Sequence, residues 1–283
     1  MRIFDPHIHM TSRTTDDYQR MAAAGVRAVV EPAFWLGQPR TSAGSFADYF
    51  DALVGWEPFR AAQFGIRHHA TIALNPKEAN DPRCREALAL VPRYLDKDSV
   101  VAVGEVGYDA MTPEEDEVFA AQLAMAVEYE LPALVHTPHR DKARGVDRTL
   151  AVVKESGIAM DHVVVDHLNE VTIGAVHDAG CWMGFSIYPD TKMSPDRMVQ
   201  ILRDHGTARI LVNSAADWGR SDPLLTLRTG EAMLAAGFTD DDVDRVLWRN
   251  PVEFYGQSGR LDLTDILEKE ATFEGSSILR GGS

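Results

Sequence analysis

Short β-branched runs alternate with longer amphipathic stretches eight times along this 283-residue chain, and no other feature limits its fold so severely. Candidate strands occupy about residues 2–8, 27–31, 69–74, 100–105, 132–136, 162–167, 181–187 and 209–213. Helix-like segments lie between or after them near 14–24, 47–62, 83–95, 114–130, 147–157, 171–179, 195–204 and 223–236. A strand–helix–strand step brings the chain back in its starting direction, so repetition builds a parallel sheet. Eight steps suit an α/β fold of the (β/α)8 TIM-barrel type in a single domain. An open doubly wound sheet is the alternative. It normally carries a glycine-rich phosphate loop after its first strand, and none is present here. The chain is somewhat longer than the roughly 250 residues usual for such a barrel. The excess suggests a barrel over residues 1–256 and a C-terminal tail over 257–283 that packs on the barrel or on a partner.

Local signals mark several boundaries. Pro113 opens a helix whose first turn carries Glu114, Glu115 and Asp116, as the helix dipole favours. Thr239, followed by Asp240, Asp241 and Asp242, predicts a capped helix through Trp248, which Asn250-Pro251 should interrupt. Residues 32–46, with Gly37, Pro39 and Gly44, read as an irregular loop over the catalytic face of a barrel.

Composition limits partners and surroundings. With 45% hydrophobic residues the chain can build a sizeable core. No run approaches the ~20 apolar residues of a membrane span, and the N-terminus shows no leader pattern. Cys84 and Cys181 offer no disulfide framework, which makes a reducing cytoplasm the expected compartment. A net charge of −15 argues against general affinity for nucleic acid and for a small-molecule substrate. The local group His139, Arg140, Lys142 and Arg144 leaves a confined anion site open. Nothing in the sequence sets an oligomeric state.

His7-Ile8-His9 ends the first strand, and residues two apart on a strand share a side, so both imidazoles can reach one ion. Glu105 ends the run Val-Val-Ala-Val-Gly-Glu, His136 ends Pro-Ala-Leu-Val-His, and His167 ends Val-Val-Val-Asp-His. Asp217 follows Ile-Leu-Val-Asn-Ser-Ala-Ala just beyond the eighth strand. Barrel active sites are built at such C-terminal strand ends, where distant residues can converge. Imidazole and carboxylate suit Zn²⁺, Mn²⁺ or Fe²⁺, and the absence of thiolate ligands argues against a closed structural zinc site. Six candidate ligands exceed what one tetrahedral ion needs. The expectation is two divalent ions, zinc first and manganese or iron behind it, with Glu105 able to bridge them. Asp217 can orient a shared water and accept its proton. Tyr108, His139, Arg140, Trp218 and Arg220 are candidate substrate contacts.

These motifs resemble those of the TatD-related hydrolases of the amidohydrolase superfamily. Asp5-Pro6-His7-Ile8-His9 is similar to that family's opening motif, and Gly104-Glu105-Val106-Gly107-Tyr108-Asp109 to its Gly-Glu-x-Gly-Leu-Asp segment. Pro132-Ala133-Leu134-Val135-His136 resembles its fifth-strand motif, and Asn250-Pro251-Val252-Glu253-Phe254-Tyr255-Gly256 its C-terminal signature. The resemblance runs from residue 1 to about 256. It implies a distorted barrel with one or two metals: His7 and His9 on one, His136 and His167 on the second, Glu105 between them, and Asp217 as ligand and proton acceptor. Several members are nucleases. This chain departs from the family pattern where Ala215-Ala216-Asp217-Trp218-Gly219 replaces Glu-Thr-Asp-x-Pro and Tyr108 replaces Leu, both at the expected mouth.

The resulting expectation is a divalent-metal-dependent hydrolase that cleaves an ester-type bond with a metal-bound hydroxide. A phosphoester comes first; a small lactone or amide is the close competitor. A deaminase would add a Glu after the fifth-strand histidine, where the chain reads Thr137-Pro138-His139-Arg140. A carboxylated-lysine bridge finds no lysine at the ends of strands four or five. The alternative from another class is a non-catalytic biosynthetic accessory protein that retains the barrel.

Overall fold

The computed structural model describes residues 1–37 and 39–264. Its eight parallel strands are β1 (Ile3–Asp5), β2 (Val26–Pro32), β3 (Arg67–Ile72), β4 (Val100–Gly107), β5 (Ala133–His136), β6 (Val163–Val165), β7 (Trp182–Ser186) and β8 (Ile210–Asn213). They follow one another in the sheet in chain order, which rules out the doubly wound alternative. Among the described residues, the backbone bonds across the seam between β8 and β1 lie at one end. There Ala215 N–H donates to the His7 carbonyl at 2.9 Å, and His9 N–H donates to that of Ala216 at 2.9 Å. The buried carboxylate of Asp5 adds a bond from Ser214 N–H at 3.3 Å. The fold is a nearly closed (β/α)8 barrel, tied where the candidate ligands emerge.

Two apolar layers explain the strand composition. Phe4, Ala28, Val30, Ala102, Leu134, Val164, Trp182 and Leu211 form one buried cluster with Trp248, Phe254 and Tyr255 of the last helical segments. The alternate strand residues, among them Val29, Ile72, Val103, Val135, Val165 and Val212, join the cluster under the surrounding helices. Strands covered on both faces read as continuous β-branched runs, the pattern that the sequence shows.

Several elements depart from expectation. β1 spans three residues, so His7 and His9 lie beyond the strand rather than within it. Their alternation nevertheless persists, because Ile8 N–H bonds to Val30 O on one side and His9 N–H to Ala216 O on the other. The segment expected at 83–95 breaks into Pro82–Arg85, a 3-10 turn at Glu86–Ala89, and Val91–Leu95. Pro82 and Pro92 each remove a backbone donor there. The expected interruption at Asn250-Pro251 does not occur: Asp240–Asp244 passes through a π turn at Arg245–Arg249 into Asn250–Gly256. Ala43–Asp51 likewise passes through a π turn at Ala52–Trp56 into Glu57–Ala62, which contains Pro58. A π turn reaches one residue further back and leaves a carbonyl unclaimed, which suits a following proline with no N–H.

Residues 257–264 run across the strand-initial end of the barrel. The Arg260 guanidinium donates to the carbonyl of Leu95, and Asp262 N–H donates to His69 Nε2 at 3.3 Å. Most of the expected tail, 265–283, lies outside the described residues.

Candidate metal centre

Four histidines and one glutamate meet at the tied end of the barrel. Glu105 Oε1, near the end of β4, lies 3.5 Å from His7 Nε2, 3.3 Å from His136 Nδ1 and 3.3 Å from His167 Nε2. His9 Nε2 is 3.0 Å from His7 Nε2. All five side chains are buried. The donor atoms of His7, His9 and Glu105 lie within 4.8 Å of one another, as do those of Glu105, His136 and His167.

The backbone is shaped to this end. His167 follows β6 with a left-handed φ of 61°, and Ala215 follows β8 with one of 41°. Such conformations cost non-glycine residues of order 1 kcal/mol and persist only where surroundings enforce them. For His167 the enforcing bonds are its N–H to Asp166 Oδ1 at 2.7 Å and its Nδ1 to Ser186 Oγ at 2.6 Å. Gly184 on β7 makes room for Asp166, since a Cβ there would stand 2.5 Å from Asp166 Oδ1.

Electrostatics keep the carboxylate ionised and two of the rings neutral. Burial raises the Glu105 pKa, yet His7, His136 and His167 together hold it well below its ordinary value. Burial pushes His9 and His167 well below theirs, so their lone pairs are available. His7 moves the other way: burial lowers it, but Glu105 and Asp166 outweigh that. Asp166 itself is held low by His167 and His7 against the effect of burial.

The residues expected from the sequence are placed unequally. His7, His9, Glu105, His136 and His167 form the cluster. Asp217 is half-buried and lines the cavity above it, with Oδ1 accepting from Gly219 N–H at 2.7 Å. No three-residue group of ligand atoms among the described residues includes Asp217. His139 lines the same cavity, its ring centroid 6.4 Å from that of His167, and Trp218 stands at the rim. Tyr108 is fully buried against Phe119, its hydroxyl on Asp116, and is not part of the lining. Arg140 and Arg220 are exposed and also outside the lining.

Sequence reasoning missed the groups that hold the candidate ligands. Asp166 Oδ2 lies 2.6 Å from His7 Nδ1, and Asn75 Nδ2 donates to Glu105 Oε2 at 3.0 Å. Phe34 stacks on His9 with centroids 3.5 Å apart. Trp35 and Lys192 line the cavity. Asp166 carried a usable signal, an acid at a strand end beside a candidate ligand; the others depend on loop paths.

The donor set fits divalent metal. Nitrogens of His7, His136 and His167 crowd around one carboxylate oxygen in a buried space, a set of neutral and anionic donors of the kind that binds a divalent cation. Asp166 and Ser186 take up the far nitrogens of His7 and His167. Carboxylate and hydroxyl partners of this kind fix the tautomer of ligating histidines.

Comparison with known proteins agrees with this geometry. A family model described as TatD related DNase matches residues 4–255. An uncharacterized metal-dependent hydrolase of Methanocaldococcus jannaschii is 25% identical over 259 residues, covering 89% of this chain and 99% of that protein. The crystal structure of a TatD-like protein from Archaeoglobus fulgidus superposes with a TM-score of 0.74 at 25% identity, over 89% of this chain and 99% of that one. A phosphotriesterase homology protein from Escherichia coli, solved with phosphate in its active site, shares the fold with a TM-score of 0.66 at 18% identity. That match covers 90% of this chain and 98% of the other.

Proposed function

We propose a bond and a division of labour from one premise: the chain belongs to the TatD related DNase family and is a metal-dependent hydrolase. The bond is of ester type, a phosphoester before a lactone or amide. The observation that carries this reading is the convergence of three imidazole nitrogens on Glu105 Oε1, below an open cavity. The phosphate in the active site of the Escherichia coli fold relative supports the choice of phosphoester.

His7 and His9 would hold one divalent ion and His136 and His167 a second, with Glu105 available to both; zinc is the first choice, then manganese or iron. When bound, the ions acidify the attacking water and polarise the scissile oxygen. Asp166 and Ser186 keep the His7 and His167 rings turned toward the centre. Asn75 holds Glu105 Oε2, so the carboxylate cannot swing away. Phe34 covers the face of His9 and excludes water from it. Asp217 Oδ1 is occupied by Gly219 N–H, while Oδ2 is left to receive the proton of the attacking water.

Elemental mass spectrometry on the purified protein and on Glu105→Ala tests the reading. The expected result is close to two divalent ions per chain in the natural protein and fewer than one in the variant, with phosphoester turnover lost. Trace metal after reconstitution would overturn the mechanism and favour a non-catalytic role. Two ions with lactone turnover, and none on phosphoesters, would move the bond to the second choice.

A further inference from the structure

The cavity above the centre has a volume of about 240 Å³ and carries two features that the reaction itself does not use. The first is the ammonium of Lys192. Its Nζ lies 3.2 Å from His167 Nδ1, the nitrogen that also lies 2.6 Å from Ser186 Oγ. A His167 ring that offers its Nε2 lone pair to the centre carries its proton on Nδ1 and gives it to Ser186. A protonated Nδ1 accepts nothing, so Lys192 then needs another acceptor. No carboxylate pairs with it among the described residues, whereas Lys77 at the same cavity is committed to Asp109 at 2.7 Å. In a chain of net charge −15, a half-buried ammonium that feels Asp166, Glu105 and Asp217 but forms no salt bridge among the described residues is placed for an incoming anion.

The second feature is aromatic. Trp35, after β2, and Trp218, after β8, stand edge to face at the mouth with centroids 6.1 Å apart. Trp218 is 55% exposed, although its neighbour Ala216 is fully buried. Exposed apolar surface at the rim of a polar cavity is surface that a ligand can cover. The cavity is also smaller than the roughly 300–1,000 Å³ of typical ligand sites, room for one ring and a head group.

We propose that the site selects a small anionic phosphoester bearing one flat aromatic group, its charged oxygen held by Lys192 and its ring by Trp35 and Trp218. The assignment rests on the hydrolase reading above and adds the substrate class. Trp218 stands where the family pattern has its unspecified residue, and Gly219 replaces the proline that follows.

Isothermal calorimetry of the metal-loaded protein with phenylphosphonate and methylphosphonate, neither of which has an ester bond to cleave, tests it. The phenyl compound should bind at least tenfold more tightly. Trp218→Ala and Trp35→Ala should erase that preference and leave methylphosphonate binding unchanged. Lys192→Met should weaken both probes tenfold or more without loss of metal, and Lys192→Arg should restore most of the binding. Equal affinity for the two probes, binding of neither, or a Lys192→Met variant that binds as the natural protein does would each overturn the proposal. Turnover of phenyl and methyl phosphate is followed in parallel. Selective binding without turnover supports the pocket assignment and removes the phosphoester reaction; turnover without selective binding does the reverse.

Discussion

At the scale of single residues, the centre depends on side chains that hold other side chains. Asp166 is the clearest, because its 2.6 Å bond decides which nitrogen His7 turns toward Glu105. Outer partners of ligating histidines typically contribute 10–100-fold to metal affinity. Asp166→Asn is therefore expected to weaken metal binding by about that factor while the far-ultraviolet circular dichroism stays unchanged. Competition against a chromophoric chelator measures it, and an unaltered affinity would remove Asp166 from this role. His7, His9, Glu105, His136 and His167 were legible because each ends an apolar run, and the barrel gathers such ends. Asp166, Asn75 and Ser186 were not legible as partners, since nothing in the sequence states which neighbour a short polar side chain will meet.

At the scale of elements, two proline-bearing helical segments are kept continuous by π turns, at Ala52–Trp56 and Arg245–Arg249. Sequence rules treat proline as a stop because they assume an α-helical bond to the missing donor. The second segment is also tied to the barrel through Asn250, whose Nδ2 donates to Thr207 O at 2.7 Å and Ile210 O at 2.8 Å. Asn250→Ala leaves both carbonyls without that donor, and a buried group left unsatisfied costs about 1–3 kcal/mol. The expected loss of unfolding free energy is about 2 kcal/mol, read as a lower urea midpoint with unchanged slope. A midpoint equal to that of the natural protein would show that the tie contributes nothing. Tyr255 of the same segment donates to Pro6 O at 2.7 Å, so the interior plug also touches the chain just before His7.

At the scale of the molecule, the two ends of the barrel carry different chemistry. The tied end gathers the candidate ligands; the opposite end is covered by residues 257–264, with His69 accepting from Asp262 N–H. Burial, then His68 and Arg67, push His69 down to about 4. An unfolded histidine titrates near ~6.5, so between those values the unfolded chain binds the extra proton and stability falls with pH. The contribution is present above about 6.5, is lost as pH falls toward 4, and amounts to at most about 3 kcal/mol. The natural protein should lose up to that much more stability than His69→Gln when taken from pH 6.5 to pH 4. Denaturant titrations across this range test it, and parallel profiles for the two proteins would refute it. No helix among the described residues is long and apolar enough to cross a membrane.

Two things were determined by the sequence alone: the eightfold alternation and the chemical type of the residues at or just beyond the ends of several β-branched runs. Both are local, since a β-branched run and its last side chain need no knowledge of what lies across the sheet. Tertiary structure decided the rest. It placed His9 by backbone bonds from Ile8 to Val30 and from His9 to Ala216 rather than within a strand, and it turned Tyr108 into the core against Phe119. It also brought Lys192, Trp35 and Trp218 to one cavity from loops far apart in the chain. Loop side chains have no periodic pattern, and their partners are set only when the barrel closes and the strand ends converge.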